Sequence, residues 1–477
     1  MKNVLFIIPP ESKIKDVKQG GAQFLRTGIA YIASYLRQNS IHVKIFDCRA
    51  LHQDIDQILK TIEEFHPNFV GLGPYTEEIY EANRICKIIK EKYPGIVTIL
   101  GGPHVSALPQ RTLEEFPAVD LVVHGEGERT VLDIVNGKNI EDIKGLAYRH
   151  EGKIVINDPP EVIQDIDSLP YPAWDLFPLD TYRGISTIHL SEKIIDPILE
   201  MPVLSSRGCP FKCNFCYKTF PGLRNRDPIK IADEIEFNVN TYGASEIFFV
   251  EGTFAAHRAQ GEQLCDELIK RGLNKKIKWM AETRVTAVNE NLLIKMKEAG
   301  CQQINFGVET GDEQILKNSK KGITLEQIIN AVELAKKIGF KVSCFFIIGH
   351  PFETKKSIRK TYALARKIDP DLMNVGIMIP YPGTQIRDMA EKGEGDYNLV
   401  CDDWSEYTKQ RGGPLELKTI PLRELRRIQS IEYLKYYLRP KKILFILKHL
   451  PIKKIIKIIT SLLSAGFVRN SRSNPAQ

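Results

Sequence analysis

The stretch SRGCPFKCNFCY (residues 206–217) determines the fold prediction, because it places Cys209, Cys213 and Cys216 in a C-x3-C-x2-C spacing. Three thiols so close in sequence cannot all point into a hydrophobic core, and they can ligate three irons of a [4Fe–4S] cluster. The fourth iron then lacks a protein ligand and is open to a substrate or cosubstrate. A structural zinc site is the alternative, but it would need a fourth ligand nearby, and the next cysteine is Cys265. We therefore expect a [4Fe–4S] cluster on these three cysteines.

The same motif, with the aromatic Phe215 just before its last cysteine, resembles the signature of radical S-adenosylmethionine (SAM) enzymes. In that family the open iron binds the amino and carboxylate groups of SAM, and one electron cleaves the sulfonium to a 5′-deoxyadenosyl radical. The flanking sequence resembles the cobalamin-binding branch, which includes methylases and the anaerobic porphyrin-ring cyclase. The resemblance covers about residues 1–390 and implies three cofactors: a [4Fe–4S] cluster, SAM and cobalamin.

The composition indicates an ordinary globular protein. The 477 residues predict two or three domains, with 43% hydrophobic and 26% charged residues. The clustered cysteines argue for a reducing compartment rather than a disulfide framework. The first apolar run is short, ends at Pro9 and Pro10, and has no small-residue cleavage site, so we expect no signal peptide. No stretch approaches the ~20 apolar residues of a membrane span. These features predict a cytoplasmic protein.

Residues 1–140 alternate apolar strand patterns with amphipathic helix patterns, which predicts an α/β domain built on a parallel sheet. Five strands in this rhythm suggest a Rossmann-like, flavodoxin-like layout, with a ligand beyond the carboxyl ends of the strands. No G-x-G-x-x-G fingerprint opens the first helix, so a nicotinamide cofactor is not expected. The predicted strands are Val4–Ile8, Val43–Phe46, Phe69–Leu72, Val97–Leu100 and Leu121–Val123.

Glycine-rich turns follow the third, fourth and fifth of these strands. Taken alone they are ordinary turn chemistry, but ILGGPHVSALP (99–109) and VVHGEGE (122–128) resemble the cobalamin-binding domain of the family. The D-x-H-x-x-G motif that supplies a cobalt ligand in many corrinoid proteins is absent, because Cys48 and Arg49 follow Asp47. We expect no cobalt ligand from that motif. The cobalamin contacts implied by the resemblance are Gly73, Thr76, Gly101, Gly102, His104 and Gly125, with a hydrogen-bonded turn histidine as the alternative role for His104.

Residues 141–195 are predicted to form a connector that contains a hairpin and a proline-rich segment. From residue 196 to 390 the strand–helix rhythm resumes and predicts a partial TIM-type (β/α)6 barrel, the radical SAM barrel of the family. Functional groups should lie at the carboxyl ends of its strands. The predicted strands are Val203–Ser205, Glu246–Val250, Ile277–Ala281, Gln303–Val308, Val342–Ile348 and Met373–Ile379.

Each predicted barrel strand ends in a residue able to contact SAM. Any one strand-end carboxylate, such as Glu251 or Glu309, could instead be a helix cap or part of a surface ion pair. Such carboxylates recur, however, on successive strands beside the cysteine motif. In GHPFET (349–354), His350 and Phe352 replace the Leu and Gly of the family's usual G-L-P-G-E-T turn, a change that could face the substrate. The SAM contacts implied by the resemblance are Phe215, Tyr217, Glu251, Arg284, Glu309 and Gly349.

Residues 391–477 are predicted to be a helical, basic C-terminal region. Apolar residues alternate with lysines at helical spacing from residue 433 to 463. This pattern suits either a helical cap over the barrel with a solvated basic face or peripheral contact with the anionic inner face of the membrane. Aromatic and lysine residues interleave, but no RNA-binding module is recognisable, so nucleic acid is not an expected partner.

The leading functional hypothesis is cobalamin-dependent methylation of an unactivated carbon in a small molecule. Peripheral contact with a membrane would suit a lipid-soluble substrate. The second is radical oxidation or cyclisation without methyl transfer, as in the cyclase branch. The third is a non-catalytic corrinoid or iron–sulfur sensor, against which the strand-end carboxylates argue. Either enzyme would draw electrons from an external donor of the flavodoxin or ferredoxin type.

Overall fold

The structure is a computed structural model that describes residues 2–10, 24–188, 198–408 and 412–449. Two sheets of mainly parallel strands, each flanked by helices, account for most of the described chain. They correspond to the two α/β regions that the sequence predicts.

The first sheet has the strand order β2-β1-β3-β4-β5-β6-β7, and its first five strands are parallel. The order of β2, β1, β3, β4 and β5 is the flavodoxin-like one, so the predicted layout is confirmed. The connection after β1 runs to β2 on one side, whereas the connection after β3 runs to β4 on the other, so a crevice opens at the carboxyl ends of β1 and β3. The strands are β1 (Asn3–Ile8), β2 (His42–Asp47), β3 (Phe69–Leu72), β4 (Val97–Leu100), β5 (Leu121–Val123), β6 (Leu146–His150) and β7 (Lys153–Ile156).

The predicted hairpin at the start of the connector extends this sheet. Strand β6 pairs antiparallel with β5, and β7 pairs antiparallel with β6. Leu146, Ala147 and Tyr148 of β6 are buried, whereas β7 is largely accessible. Apolar burial therefore joins this segment to the first domain.

Helices cover both faces of the first sheet. Their ends follow local capping chemistry: the Asp54 carboxylate accepts the Asp56 N–H at the start of α2, and Gly137 closes α6 with φ +77°. The helices are α1 (Thr27–Gln38), α2 (Ile55–Phe65), α3 (Ile79–Lys92), α4 (Pro103–Ala107), α5 (Pro109–Glu115) and α6 (Gly127–Asn136).

The second sheet is an open barrel of six parallel strands in the order β8-β11-β12-β13-β14-β15, as predicted. The bounds of the first strand were wrong: it was predicted at Val203–Ser205 and lies at Glu200–Val203. A short antiparallel pair, β9 with β10, brackets the loop that carries the three cysteines. The strands are β8 (Glu200–Val203), β9 (Ser206–Gly208), β10 (Leu223–Asn225), β11 (Glu246–Phe249), β12 (Lys278–Thr283), β13 (Cys301–Glu309), β14 (Lys341–Ile348) and β15 (Leu372–Ile377). The helices are α7 (Pro228–Tyr242), α8 (Arg258–Lys270), α9 (Glu290–Glu298), α10 (Glu313–Asn318), α11 (Leu325–Ile338), α12 (Lys355–Ile368) and α13 (Gln385–Glu391).

The C-terminal region combines a small antiparallel pair, β16 (Tyr397–Leu399) with β17 (Leu415–Leu417), and two helices, α14 (Leu422–Tyr437) and α15 (Pro440–His449). Helix α14 protects the edge strand β15, because the Tyr433 and Tyr437 hydroxyls accept the backbone N–H groups of Val375 at 2.7 Å and Met373 at 2.9 Å. The basic pattern predicted to continue beyond α15 falls on residues 450–477, which lie outside the described residues. Within residues 2–10, 24–188, 198–408 and 412–449, no helix is long and apolar enough to cross a membrane.

Trp404 ties the C-terminal region to the first domain. Its side chain is buried, and its indole N–H donates to the Glu115 carboxylate at 3.0 Å. Arg111 lies over the indole ring at 4.5 Å and pairs with Asp402 at 2.6 Å. These contacts attach the C-terminal region, which follows the barrel in sequence, to helix α5 of the first domain.

Candidate active site

A cavity of about 550 Å³ opens at the carboxyl ends of the first sheet and continues to the first two barrel strands. Its volume falls in the usual range for small-molecule sites. Apolar side chains from both domains form most of the wall: Phe6, Ile29, Ile99, Val123, Phe248 and Val250. Such a wall suits a large organic cofactor with an extended apolar face.

Four of the predicted cobalamin contacts line this cavity: Gly73, Gly101, Gly102 and Gly125. Gly102 and Gly125 adopt φ angles of +94° and +78°, which favour glycine. A Cβ at Gly125 would also come within 2.7 Å of the Pro160 ring. A Cβ at Gly101 would meet only the Val123 carbonyl oxygen, at 3.8 Å, so a side chain there is compatible with the fold and would take up cavity space. These glycines leave the room that a closely bound corrinoid needs.

The other two predicted cobalamin contacts, Thr76 and His104, do not line the cavity. Both are buried, and the His104 Nδ1 lies 3.2 Å from the Thr76 hydroxyl. The His104 ring meets the Trp404 ring edge-on at 4.9 Å, and burial lowers the pKa of His104 to about 4. These contacts favour the alternative role of His104, a hydrogen-bonded turn histidine, and its contact with cobalamin stays a prediction.

The three motif cysteines share one loop after β9 and form no disulfide. Loss of hydration, and then the neighbouring Cys213 and Cys209 thiols, raise the pKa of Cys216. Thiolates in such a group need cations to compensate their repulsion, which an iron cluster supplies. Three thiols without a fourth Cys nearby are the donor set of a cluster with one open iron, whereas a structural zinc ion takes four ligands.

Glu251 follows β11 and is buried against the loop after β8. Its carboxylate accepts hydrogen bonds from the Ser205 hydroxyl and from the Ser205 backbone N–H at 3.2 Å. Burial raises the pKa of Glu251 to about 7, so a small change in its surroundings switches its charge at neutral pH. Ser205 had no motif to mark it in the sequence.

Arg284 directly follows β12 and lies against the cysteine loop. Its guanidinium lies 3.7 Å from the Cys213 sulfur and 3.6 Å from the centre of the Phe211 ring, and it donates to the Lys321 carbonyl. Because it is buried, this arginine places a fixed positive charge beside the thiolates. Its contacts place it at the cluster loop, next to the expected SAM site.

Glu309 ends β13 and forms a buried ion pair with Lys321. Its φ of +71° is unusual for a residue with a side chain, and such strain concentrates at functional sites. Lys321 lies beyond helix α10 and not at a strand end, so the strand-end argument did not identify it.

The remaining predicted SAM contacts lie around the same loop. The Phe215 ring meets the His350 ring at 6.1 Å, and His350 follows Gly349 at the end of β14. Gly349 has a φ of +88°, and its N–H donates to the Glu353 carboxylate at 2.5 Å. The Tyr217 ring packs directly against Gly383, where an added Cβ would lie 2.5 Å from the ring atoms.

A buried ionic bridge joins the cysteine loop to the cavity wall. Arg207, two residues before Cys209, pairs with Glu128, and Arg224 of β10 pairs with Glu126 at 2.5 Å. Glu126 and Glu128 belong to the HGEGE turn that also contributes Gly125. The sequence predicted a role only for a glycine of that turn, whereas in the structure its carboxylates connect the two domains.

Comparisons with known proteins agree with this arrangement. Residues 21–135 match the B12 binding domain, and residues 203–365 match the radical SAM superfamily. An uncharacterized methyltransferase of Pyrococcus horikoshii is 34% identical over 92% of this chain and 93% of its own. The anaerobic magnesium-protoporphyrin IX monomethyl ester cyclase of Rubrivivax gelatinosus is 32% identical over 87% of this chain and 75% of its own.

Two solved structures share the fold. The radical SAM methyltransferase TsrM from Kitasatospora setae, with cobalamin and a [4Fe–4S] cluster bound, has a TM-score of 0.69 and covers 86% of this chain and 83% of its own. The cobalamin-dependent radical enzyme OxsB, with aqua-cobalamin bound, has a TM-score of 0.74 and covers 98% of this chain and 72% of its own. Both are 17% identical to this chain, so they inform the fold alone. The chain belongs to the cobalamin-binding radical SAM enzymes, and its cofactors are a [4Fe–4S] cluster, SAM and cobalamin.

Proposed function

We propose that this enzyme transfers a methyl group to an unactivated carbon of a small, hydrophobic molecule. One observation carries the proposal: the cavity behind Gly101 is shared by the strand ends of the first sheet and the first barrel strands. The Arg207–Glu128 bridge holds the cysteine loop against the same wall. This arrangement supports a methyl carrier and a SAM site that serve one substrate.

The chain's own residues would position the reacting partners. Cys209, Cys213 and Cys216 would hold the cluster, and the Arg284 charge beside Cys213 would compensate thiolate charge. Ionised Glu251 would accept hydrogen bonds from a cationic or hydroxyl-bearing part of SAM. When bound, the three cofactors supply reductive cleavage of SAM, hydrogen abstraction and methyl carriage.

The second candidate is radical oxidation or cyclisation without methyl transfer. The similarity to the Rubrivivax gelatinosus cyclase favours it. The similarity to the Pyrococcus horikoshii methyltransferase extends over more of both chains and favours methylation. The third hypothesis, a non-catalytic sensor, is not proposed, because the chain belongs to a family of enzymes.

Product counting separates these candidates. Anaerobically reconstituted enzyme would be incubated with a reductant, SAM labelled with deuterium in its methyl group, and fractions of a cell lipid extract. Methyl transfer predicts equal amounts of 5′-deoxyadenosine and S-adenosylhomocysteine, with label in a lipid product. Cyclisation predicts 5′-deoxyadenosine alone. Cys213→Ala is the control for cluster-independent products.

An external one-electron donor of the flavodoxin or ferredoxin type belongs to the proposal, because each SAM cleavage consumes an electron. Replacing the chemical reductant with a reduced flavodoxin or ferredoxin should sustain 5′-deoxyadenosine formation. If neither protein supports turnover while the chemical reductant does, this part of the proposal fails.

Peripheral contact with an anionic membrane is also proposed, since it would suit a hydrophobic substrate. Leu438 and Leu444 are 64% and 70% exposed, beside the exposed Lys435 and Lys441. Such a surface matches a basic amphipathic membrane contact. The protein should float with phosphatidylglycerol vesicles and not with phosphatidylcholine vesicles, and a Leu438→Glu/Leu444→Glu variant should stay unbound. Flotation of that variant at the level of the unmodified protein would contradict the proposal.

A further inference from the structure

His350 is a fully buried side chain in the barrel mouth, and both of its ring nitrogens lack a hydrogen-bond partner in the described part of the chain. Each buried polar atom left without a partner costs about 1–3 kcal/mol. A leucine of similar size would carry no such cost at this position.

The backbone around His350 is fixed independently of its ring. The Glu353 carboxylate accepts the backbone N–H groups of Gly349 at 2.5 Å and of His350 at 3.1 Å. The turn therefore does not need the imidazole nitrogens for its own structure. What the ring offers is hydrogen-bonding capacity to a group outside the polypeptide.

The His350 ring lies beside the cysteine loop. Its contact, Phe215, stands between Cys213 and Cys216 in the cysteine loop. Burial and the positive charge of Lys321 lower the pKa of His350, which keeps the ring neutral. A neutral imidazole presents one N–H donor and one acceptor nitrogen. Both SAM and the sulfide corners of an iron–sulfur cluster accept hydrogen bonds.

We propose that the His350 imidazole is a cofactor contact that donates a hydrogen bond to the SAM–cluster assembly. The inference rests on the cofactor assignment and is independent of which carbon the enzyme modifies. This hydrogen bond would give a role to the histidine that replaces the leucine of the family's usual turn. A bond to SAM and a bond to the cluster predict different changes in the variants.

The test compares His350→Leu, His350→Asn and His350→Gln in enzyme reconstituted with cluster and cobalamin. Two quantities are measured without substrate: the Kd for SAM, and the midpoint potential of the cluster in the absence of SAM. A bond to SAM predicts that leucine raises the Kd about tenfold, the loss expected for one hydrogen bond to a charged or polar ligand. A bond to the cluster predicts a lower potential in the leucine variant with an unchanged Kd.

The amide variants separate hydrogen bonding from packing. Asparagine and glutamine place an N–H near one or the other ring nitrogen, so one of them should restore the affected quantity toward the wild-type value. Phe352→Leu, at a 59% exposed position in the same turn, is the matched control and should change neither quantity. The proposal is overturned if His350→Leu retains its iron and leaves both the Kd and the potential unchanged. It is also overturned if leucine alters them and neither amide restores them.

Discussion

The two halves of the candidate active site differ in whether room for a cofactor is already present in the cofactor-free protein. The first-domain wall is mostly apolar and contains several glycines, its carboxylates Glu126 and Glu128 are paired with arginines, and its cavity is open. At the cysteine loop, the groups expected to meet SAM contact protein partners: Glu309 pairs with Lys321, and Glu251 with Ser205. We therefore expect cobalamin to enter a cavity that is already formed, and SAM to replace existing contacts between protein side chains.

This difference has an energetic consequence. A side chain added to the cavity should block a cofactor while leaving the fold intact. Removal of one partner from a buried ion pair leaves an uncompensated charge and destabilises the fold itself. A substitution in the cavity should therefore weaken cofactor binding without lowering stability, whereas a substitution in the buried ion pair should lower stability itself.

The largest expected effect follows removal of a cluster ligand. Cys213→Ala should lose the cluster and abolish detectable 5′-deoxyadenosine formation while cobalamin still binds, because the cavity does not use the cysteines. Iron and cobalt analysis, with product detection by mass spectrometry, measures both. Cys401→Ser is the matched control and should retain both cofactors. Loss of cobalt in Cys213→Ala would mean that the two sites are not separable.

A second large effect should appear at Gly101. Gly101→Leu should fill cavity space and weaken cobalamin binding at least ~100-fold. The added Cβ meets no atom closer than 3.8 Å and the rest of the side chain has the cavity to enter, so we expect the free energy of unfolding to change by only about 1 kcal/mol or less. Spectroscopic titration with cobalamin and denaturant unfolding measure the two quantities. Gly95→Ala, where a Cβ meets nothing within 4 Å, is the control. Unchanged cobalamin affinity in Gly101→Leu would place the corrinoid elsewhere.

The opposite behaviour is expected at Lys321. Lys321→Met leaves the Glu309 carboxylate buried without its cation and should lower the stability of the cofactor-free protein by about 3–5 kcal/mol. Lys321→Met/Glu309→Gln should recover part of that loss, since it removes the uncompensated charge. Denaturant unfolding of both variants measures the difference. Equal losses in the single and double variants would show that the ion pair is not the cause.

The smallest expected effect is a pH dependence from Glu251. Its folded-state pKa of about 7 exceeds the ordinary value of 4.5, so its contribution to stability is complete below pH 4.5 and is lost as the pH rises through 7. Stability should fall by at most about 1.4 kcal/mol per pH unit from this one group. Unfolding from pH 5 to 8 should show a shallower decline in Glu251→Gln. An identical slope in that variant would contradict the assignment.

The sequence predicted the elements of regular structure well where periodicity and motif agreed. The five parallel strands, the six barrel strands and the cysteine loop needed only local pattern. The partners Ser205 and Lys321 were not predicted, because they bond strand-end carboxylates from distant or motif-free positions. The Arg207–Glu128 bridge was missed for the same reason: a charge pattern does not reveal which charges become buried together.

His104 has partners that the sequence did not indicate. Its position in the strand-end turn predicts a cobalamin contact, and the structure adds the Thr76 hydroxyl and the Trp404 ring as its neighbours. Trp404 comes from a segment some 300 residues later, so no local signal could have announced the contact.

The most direct test of the two-site account is the iron and cobalt content of anaerobically reconstituted wild-type enzyme measured beside Gly101→Leu and Cys213→Ala. The account predicts four irons and one cobalt per chain in the wild type. It predicts four irons without cobalt in Gly101→Leu, and cobalt without a cluster in Cys213→Ala. Cobalt retained in Gly101→Leu, or lost together with iron in both variants, would contradict a cobalamin cavity that is formed independently of the cluster.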